Sequence, residues 1–341
     1  MKFGPVPVDE SLGGIVAHAV RREGFVLRKG EVVQPAHVEA LRRLGVDDIV
    51  VAQLEPGDVG EDAAARRLAE AVAGENVRVE QPFTGRSNLF AETGGVLVVD
   101  SALIDRINAI DEKVTLATLA PFKSVVAGEM IATVKIIPFA VPGTLLDHAI
   151  AVARDGRLRV AAFRPLRIGV ISTLLPGLKP SVVDKTLRVM AERLAPTGAK
   201  IVADERVAHT ISPLVEAIER VAPQSDLVII FGASAITDRR DVIPTSIVAA
   251  GGVIEHFGMP VDPGNLLLVG RLGGTGEKIV LGAPGCARSP RENGFDWVLQ
   301  RMIAGIPVSA ADIRQMGAGG LLMEIISRPQ PRLGVTSEHD D

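Results

Sequence analysis

The chain has 341 residues, of which 47% are hydrophobic and 23% charged, and a formal net charge of −4. That length exceeds one typical domain of about 100–150 residues and suits two, each with enough apolar material for a buried core. With aromatics at 3% and no tyrosine, base-stacking platforms and a broad phosphate-backbone footprint are both disfavoured, so no nucleic-acid partner is expected.

From residue 1 to about 160, short apolar runs alternate with Gly/Pro turns. Gly13–Arg22, Pro35–Leu44 and Asp62–Ala73 carry helical patterns; in the last, Ala65, Leu68 and Val72 share a face. Pro35 suits a first helical turn and Gly45 a stop after the last. Asp48–Ala52, Gly95–Asp100 and Met130–Pro142 are Val/Ile-rich and read as strands. Residues 1–163 are therefore expected to form a smaller α+β region, and Ala151–Pro165, mixed in charge and without a core period, is expected to be a linker.

From residue 164 to 330 the period becomes regular. Leu166–Ser172 reads as a buried strand and Ser181–Leu194 as a helix, with Ser181 at the N-cap and Asp184 at N3. A strand over Lys200–Ala203 and a helix to about Ala222 follow, then a strand over Asp226–Phe231 and a short helix, Pro244–Ala250, stopped by Gly251-Gly252. This alternation predicts an α/β domain with a doubly wound, mostly parallel sheet. Leu266–Arg271 and Lys278–Gly282 flank the Gly-rich Leu272–Glu277 and predict a hairpin. Ser289, Pro290 and Glu292 fit a capping box before a helix that buries Phe295, Val298, Leu299, Met302 and Ile303. Ser327–Asp341 reads as a frayed tail, with 331–341 flexible.

Ligands of an open parallel sheet sit beyond the carboxyl ends of its strands. Three segments are expected there: Asp204-Glu205, directly after a strand; Gly232–Pro244 (GASAITDRRDVIP); and Ala283–Ser289 (APGCARS). In the second, Gly232 and Ala233 admit close backbone approach, Ser234 and Thr237 offer hydroxyls, and the helix that follows presents free amides to an anion. Asp238 and Asp241 in the same loop make sense beside a phosphate if Mg²⁺ bridges them, and Asp204 could add a carboxylate. The plainer alternatives are that Asp241 is an N-cap, that Asp204 is a solvated turn residue, and that Cys286 is a packed small residue rather than a nucleophile. The six histidines show no metal-ligand spacing. Spacing alone supports a phosphate-bearing ligand, with or without Mg²⁺. The single cysteine excludes an intrachain disulfide. With no signal-like N-terminus and no apolar run long enough to span a bilayer, a cytoplasmic protein without a membrane partner is expected.

Several ordered motifs between Arg167 and Ala304 resemble the molybdopterin-binding domain shared by molybdopterin adenylyltransferase, molybdopterin molybdenumtransferase and gephyrin. RIGVIS resembles the family's first strand, and Asp184-Lys185 falls where an Asp opens its first helix. ADE at 203–205 resembles the PDE turn, and GASAITDRRDVIP resembles GGTGxxxRDVTP with Arg240, Asp241 and Pro244 in place. GGVIEHFGMPVDPGNLLLVGRL followed by GAPG resembles the molybdenumtransferase version; GASA replaces GGTG, and PGCARSP replaces the PGNP-type turn. The resemblance assigns catalysis and Mg²⁺ to Asp204 and Asp241. It assigns pterin binding to Gly232, Ala233, Ser234, Thr237 and Arg240, and to Pro284, Gly285, Cys286, Arg288 and Ser289. It implies molybdopterin as substrate or ligand, ATP or AMP as co-substrate or product, and a homo-oligomer.

Three functions follow from the resemblance. One is a transferase of molybdenum-cofactor biosynthesis, adenylylating the pterin phosphate or releasing AMP as molybdate enters. Another is a non-catalytic carrier acting with a partner enzyme. The third is a nucleotide pyrophosphatase of the competence-damage type.

Overall fold

The structure is a computed structural model that describes residues 1–273 and 278–322. The chain divides into two compact units, Met1–Phe163 and a second that begins at Arg164. Among the described residues no helix is long and apolar enough to cross a membrane.

The first unit mixes helices with small antiparallel sheets. Asp48–Gln53 lies between Lys2–Pro7 and Ile15–Val16 in one sheet. A four-stranded sheet runs in the order Val114–Thr118, Met130–Ile136, Arg86–Ala91, Val77–Val79. The helix Glu61–Val72 buries Ala64, Ala65, Leu68, Ala69 and Val72 in the main core of the unit, together with Leu89, Val134 and Ile136 of that sheet. Its i, i+3, i+4, i+7 spacing makes this one face.

Two expectations for this unit are corrected. Gly13–Arg22 is not a helix: Ile15–Val16 pairs with Ala52 and Val51, and Val20–Arg22 with Phe25–Leu27. Gly13 and Gly24 at positive φ make the reversals, and pairing across the chain outweighs a weak local propensity. Ala151–Pro165 is not a free linker either: the helix Gly143–Ala153 runs into it, and Arg159–Ala162 pairs antiparallel with Gly95–Val98.

The second unit is an α/β fold around a six-stranded sheet. Its elements are β1 (Arg167–Leu174), α1 (Pro180–Leu194), β2 (Lys200–Ala208), α2 (Ile211–Val221), β3 (Leu227–Phe231), α3 (Val242–Ala249), β4 (Gly252–Phe257), β5 (Leu268–Leu272), β6 (Lys278–Ala283), α4 (Gly294–Ile303) and α5 (Ala310–Arg314). The strand order is β2-β1-β3-β6-β5-β4. β2, β1, β3 and β6 are parallel neighbours, and β5 is antiparallel to both β6 and β4. Central strands buried on both faces read as continuous apolar runs, and β3 (LVIIF) is buried at every position. On one face Val228, Ile230 and Ile171 pack with Leu214, Ala217, Ile218 and Val221 of α2 and with Ile243 and Ile247 of α3.

Several boundaries move. α1 starts at Pro180 with Lys179 as N-cap and no side-chain cap, so Ser181 is inside the helix and Asp184 lies beyond N3. Proline at N1 opens this helix instead. α4 starts at Gly294, not Pro290. Asn293 accepts from the Phe295 amide, and Asp296 accepts from the Asn293 amide, a capping box that Ser289 and Glu292 do not form. The ladder between β5 and β6 matches a hairpin; of its expected turn, Leu272–Glu277, Leu272 pairs with Lys278 as the last residue of β5 and 274–277 lie outside the described residues, as does the expected tail, 327–341.

Candidate functional site

The parallel strands β1, β3 and β6 end at Leu174, Phe231 and Ala283, so the segments that follow gather at one edge of the sheet. Buried Thr173 joins them. Its hydroxyl oxygen accepts the Ala233 amide at 2.8 Å and lies 2.8 Å from His209 Nδ1 and 3.4 Å from the Phe231 carbonyl oxygen. A hydroxyl both donates and accepts, so this one side chain fastens the chain after β2 to the loop after β3.

Arg288 closes the other side, in a short 3₁₀ turn, Gly285–Arg288, after β6. One guanidinium nitrogen donates to the Gly232 carbonyl at 2.8 Å and another to Thr186 Oγ1 of α1 at 2.9 Å. The guanidinium carbon stands 5.3 Å from the Phe231 ring centroid. Burial pushes the Arg288 pKa below its ordinary value. Among the described residues no carboxylate lies within ion-pair distance of it. The result is a half-buried cation whose partners are neutral oxygens and a ring, and such a cation attracts an anion from solution.

The turn carrying Arg288 is pinned from behind. Arg193 of α1 donates to the Ala287 and Ser289 carbonyls at 2.7 and 2.8 Å and is ion-paired with Asp296 of α4. The two side chains are only 7% and 8% exposed. Burial drives the Asp296 pKa up, against the opposing pull of Arg193. Arg193 thus ties down the turn that carries Pro284, Gly285, Cys286 and Ser289. Burial also raises the Cys286 thiol pKa, which keeps it protonated and fits a packed residue.

The loop after β3 differs from its expected chemistry. A Cβ on Gly232 would lie 2.5 Å from the Ser234 carbonyl oxygen and 2.9 Å from Ile243 Cδ1, so the glycine lets the loop fold on itself. Ser234 and Thr237 are exposed. Arg240, 91% exposed, makes a two-point pair with Asp238 at 2.8 and 3.2 Å. That pair, with the Arg240 amide, holds the Asp238 pKa down at about 2. Asp241 caps α3: one carboxylate oxygen accepts the Val242 amide at 2.7 Å and the other the Thr237 amide at 3.3 Å. The helix start expected to receive an anion is therefore already occupied by a carboxylate.

Asp204 is not at a strand end. β2 continues to Ala208, and Asp204 pairs in register with Val170, in the middle of β1. Its carboxylate faces Arg206 at 3.6 Å, and Arg206 in turn bonds Asp184 at 2.8 Å. Neighbouring Glu205 is paired with Arg220. Among the described residues no bond or shared partner links Asp204 to Asp241, and no group of three or more His, Cys, Asp or Glu side chains gathers around a point. These donors do not fit a Mg²⁺ held between Asp204 and Asp241.

Of the residues expected at the site, the structure brings together Gly232, Ala233 and Arg288. It leaves Arg240 paired outward and Asp204 in the edge strand. Thr173, Thr186, Arg193 and His209 were missed. Their partners lie 36 to 103 residues away in the chain, and no local motif marks them.

The second unit is thus an α/β sheet with a cationic, loop-built site at the carboxyl ends of its parallel strands. A family described as a domain of unknown function (DUF8806) matches residues 5–53. No curated protein matches the chain. Among solved structures it is similar to the molybdopterin biosynthesis protein MoeA of Pyrococcus horikosii, at 14% identity over 92% of this chain and 75% of that one, with a TM-score of 0.29. The tungsten cofactor synthesizing protein MoaB of Pyrococcus furiosus is similar at 19% identity over 41% of this chain and 92% of its own, TM-score 0.29. CinA of Thermoplasma acidophilum, a protein of unknown function, is similar at 15% identity over 43% of this chain and 99% of its own, TM-score 0.28. TM-scores this low carry no functional weight.

Proposed function

We propose that the second unit, read as doubly wound, is a molybdopterin-binding module of molybdenum-cofactor metabolism that holds the phosphate of its ligand against Arg288. The observation that carries this reading is a half-buried guanidinium with no acidic partner among the described residues, at the carboxyl ends of parallel strands and anchored by Gly232 and Thr186. The ordered motif resemblance from Arg167 to Ala304 supplies the ligand class. In this reading Arg288 binds the anion, Thr173 fixes the Ala233 amide beside it, and the Arg193–Asp296 pair keeps the turn after β6 in place. Mg²⁺ would supply charge neutralisation in an adenylyl- or molybdenum-transferase. Because Asp204 and Asp241 are bound to other groups, their placement favours a carrier acting with a partner enzyme over turnover with ATP or release of AMP.

The test is binding of molybdopterin to the purified full chain, followed by pterin fluorescence. Arg288→Met should weaken binding by about ten- to a hundredfold, the loss expected for charge-assisted hydrogen bonds to an anion. A dephosphorylated pterin should bind both proteins alike. Equal affinity of Arg288→Met and the unmodified protein for molybdopterin would remove the basis of this reading. Incubation with molybdopterin, ATP and Mg²⁺ should release no pyrophosphate; steady release would restore the transferase.

A further inference from the structure

The first unit contains a cavity of about 590 Å³, a size that accommodates a small organic ligand. Its walls include Phe3, Ile137, Pro138 and Phe139, with Lys29, Glu61, Thr84 and Lys135 as polar groups. Phe3 and Ile137 are large apolar side chains left more than half exposed, at 59% and 58%.

The polar groups are held in place by their surroundings. The Glu61 amide donates to the Phe139 carbonyl at 2.8 Å, which ties the start of its helix to the opposite wall. Lys135 Nζ donates to the Thr84 carbonyl at 2.5 Å, and Asp62 accepts the Gly85 amide at 2.6 Å. Thr84 and Gly85 both sit in the left-handed region, at φ +50° and +71°. For a β-branched residue this costs about 1–3 kcal/mol, and such strain concentrates at ligand sites. A Cβ on Gly85 would collide with Glu61 Oε2, so the glycine lets that carboxylate lie against the backbone.

Two groups in the cavity remain under-used. The Glu61 side chain is 22% exposed, and its cation partner, Lys135, stands 3.6 Å away, a loose ion pair. Burial raises its pKa, against the opposing charge of Lys135. Lys29 meets no carboxylate among the described residues and stands 5.9 Å from the centroid of the Phe139 ring. A half-buried acceptor, an unpaired amine and apolar walls between them describe a complement with three parts.

We propose that this cavity binds a small zwitterion with an apolar body, an aromatic α-amino acid in chemical class, its ammonium on Glu61 and its carboxylate on Lys29. The site is separate from Arg288 and does not depend on the function proposed for the second unit.

Three probes test it by titration calorimetry on the full chain: L-phenylalanine, phenylacetate, which lacks the amine, and phenethylamine, which lacks the carboxylate. Phenylalanine should bind at least about tenfold more tightly than either fragment. Lys29→Met should remove its advantage over phenethylamine, and Glu61→Gln its advantage over phenylacetate. Lys29 is exposed, so its replacement keeps the fold even if that of Glu61 does not. Equal binding of all three probes, no binding of phenylalanine at millimolar concentration, or insensitivity to Lys29→Met would each overturn the proposal.

Discussion

Asp241 decides between a helix cap and a metal ligand, and the two roles respond differently to two substitutions. Its carboxylate accepts the Val242 amide at 2.7 Å and the Thr237 amide at 3.3 Å. Alanine removes both acceptors. Loss of an N-cap costs about 0.5–2 kcal/mol, typically near 1. In a domain of this size each kcal/mol corresponds to a shift of about 2–4 °C in melting temperature. Asparagine keeps an oxygen for the Val242 amide and caps about as well as aspartate, so Asp241→Asn should melt close to the unmodified protein. Neither variant should change pterin affinity more than about twofold, with or without Mg²⁺, if the anion binds at Arg288 as proposed. Scanning calorimetry of the full chain and pterin titration with and without Mg²⁺ measure both quantities. If Asp241→Asn keeps the melting temperature yet loses Mg²⁺-dependent affinity, the cap reading is wrong and the carboxylate is a ligand.

Three further predictions follow the same geometry. Arg193→Ala leaves Asp296 buried without its cation and frees the Ala287 and Ser289 carbonyls, so it should destabilise the chain by about 3–5 kcal/mol in denaturant titration; a loss under about 1 kcal/mol would show that the pair does not hold the turn. Asp204→Asn breaks only a partly exposed pair with Arg206 and should change stability by less than about 1 kcal/mol and leave pterin binding intact. A large binding loss would return Asp204 to the site. Asp238, depressed from 3.8 to about 2 by Arg240, stabilises the loop fully above its ordinary value and loses that contribution as pH falls through about 2. An NMR titration should place its midpoint near 2, and Arg240→Met should move it up toward, but not to, the ordinary value, because the backbone amide at position 240 still donates to Asp238.

Much of the second unit was legible because its elements obey local rules. The apolar run of β3, the face of α4 at Phe295, Val298, Leu299, Met302 and Ile303, and the glycines after α3 state their structure within a dozen residues. The mostly parallel sheet follows from strand–helix alternation in the same way. The resemblance also placed Gly232, Ala233 and Arg288 in one expected site, through the order of motifs, and the structure brings these loops together.

Tertiary structure decided the rest, because the deciding bonds join residues far apart in the chain. Ile15–Val16 and Arg159–Ala162 became strands only because Asp48–Gln53 and Gly95–Val98 offered partners. Lys200–Ala203 grew to Ala208 because β1 continues to Leu174 beside it, and that growth moved Asp204 from a strand end into an edge strand. Arg240 and Arg288 are both arginines in site loops by sequence. One has Asp238 two residues away and is neutralised in solvent, while the other, among the described residues, has only carbonyl, hydroxyl and ring partners, half out of water. An anion seeks the second, since a charge is strengthened where solvent screening is weakest and no opposite charge has already claimed it.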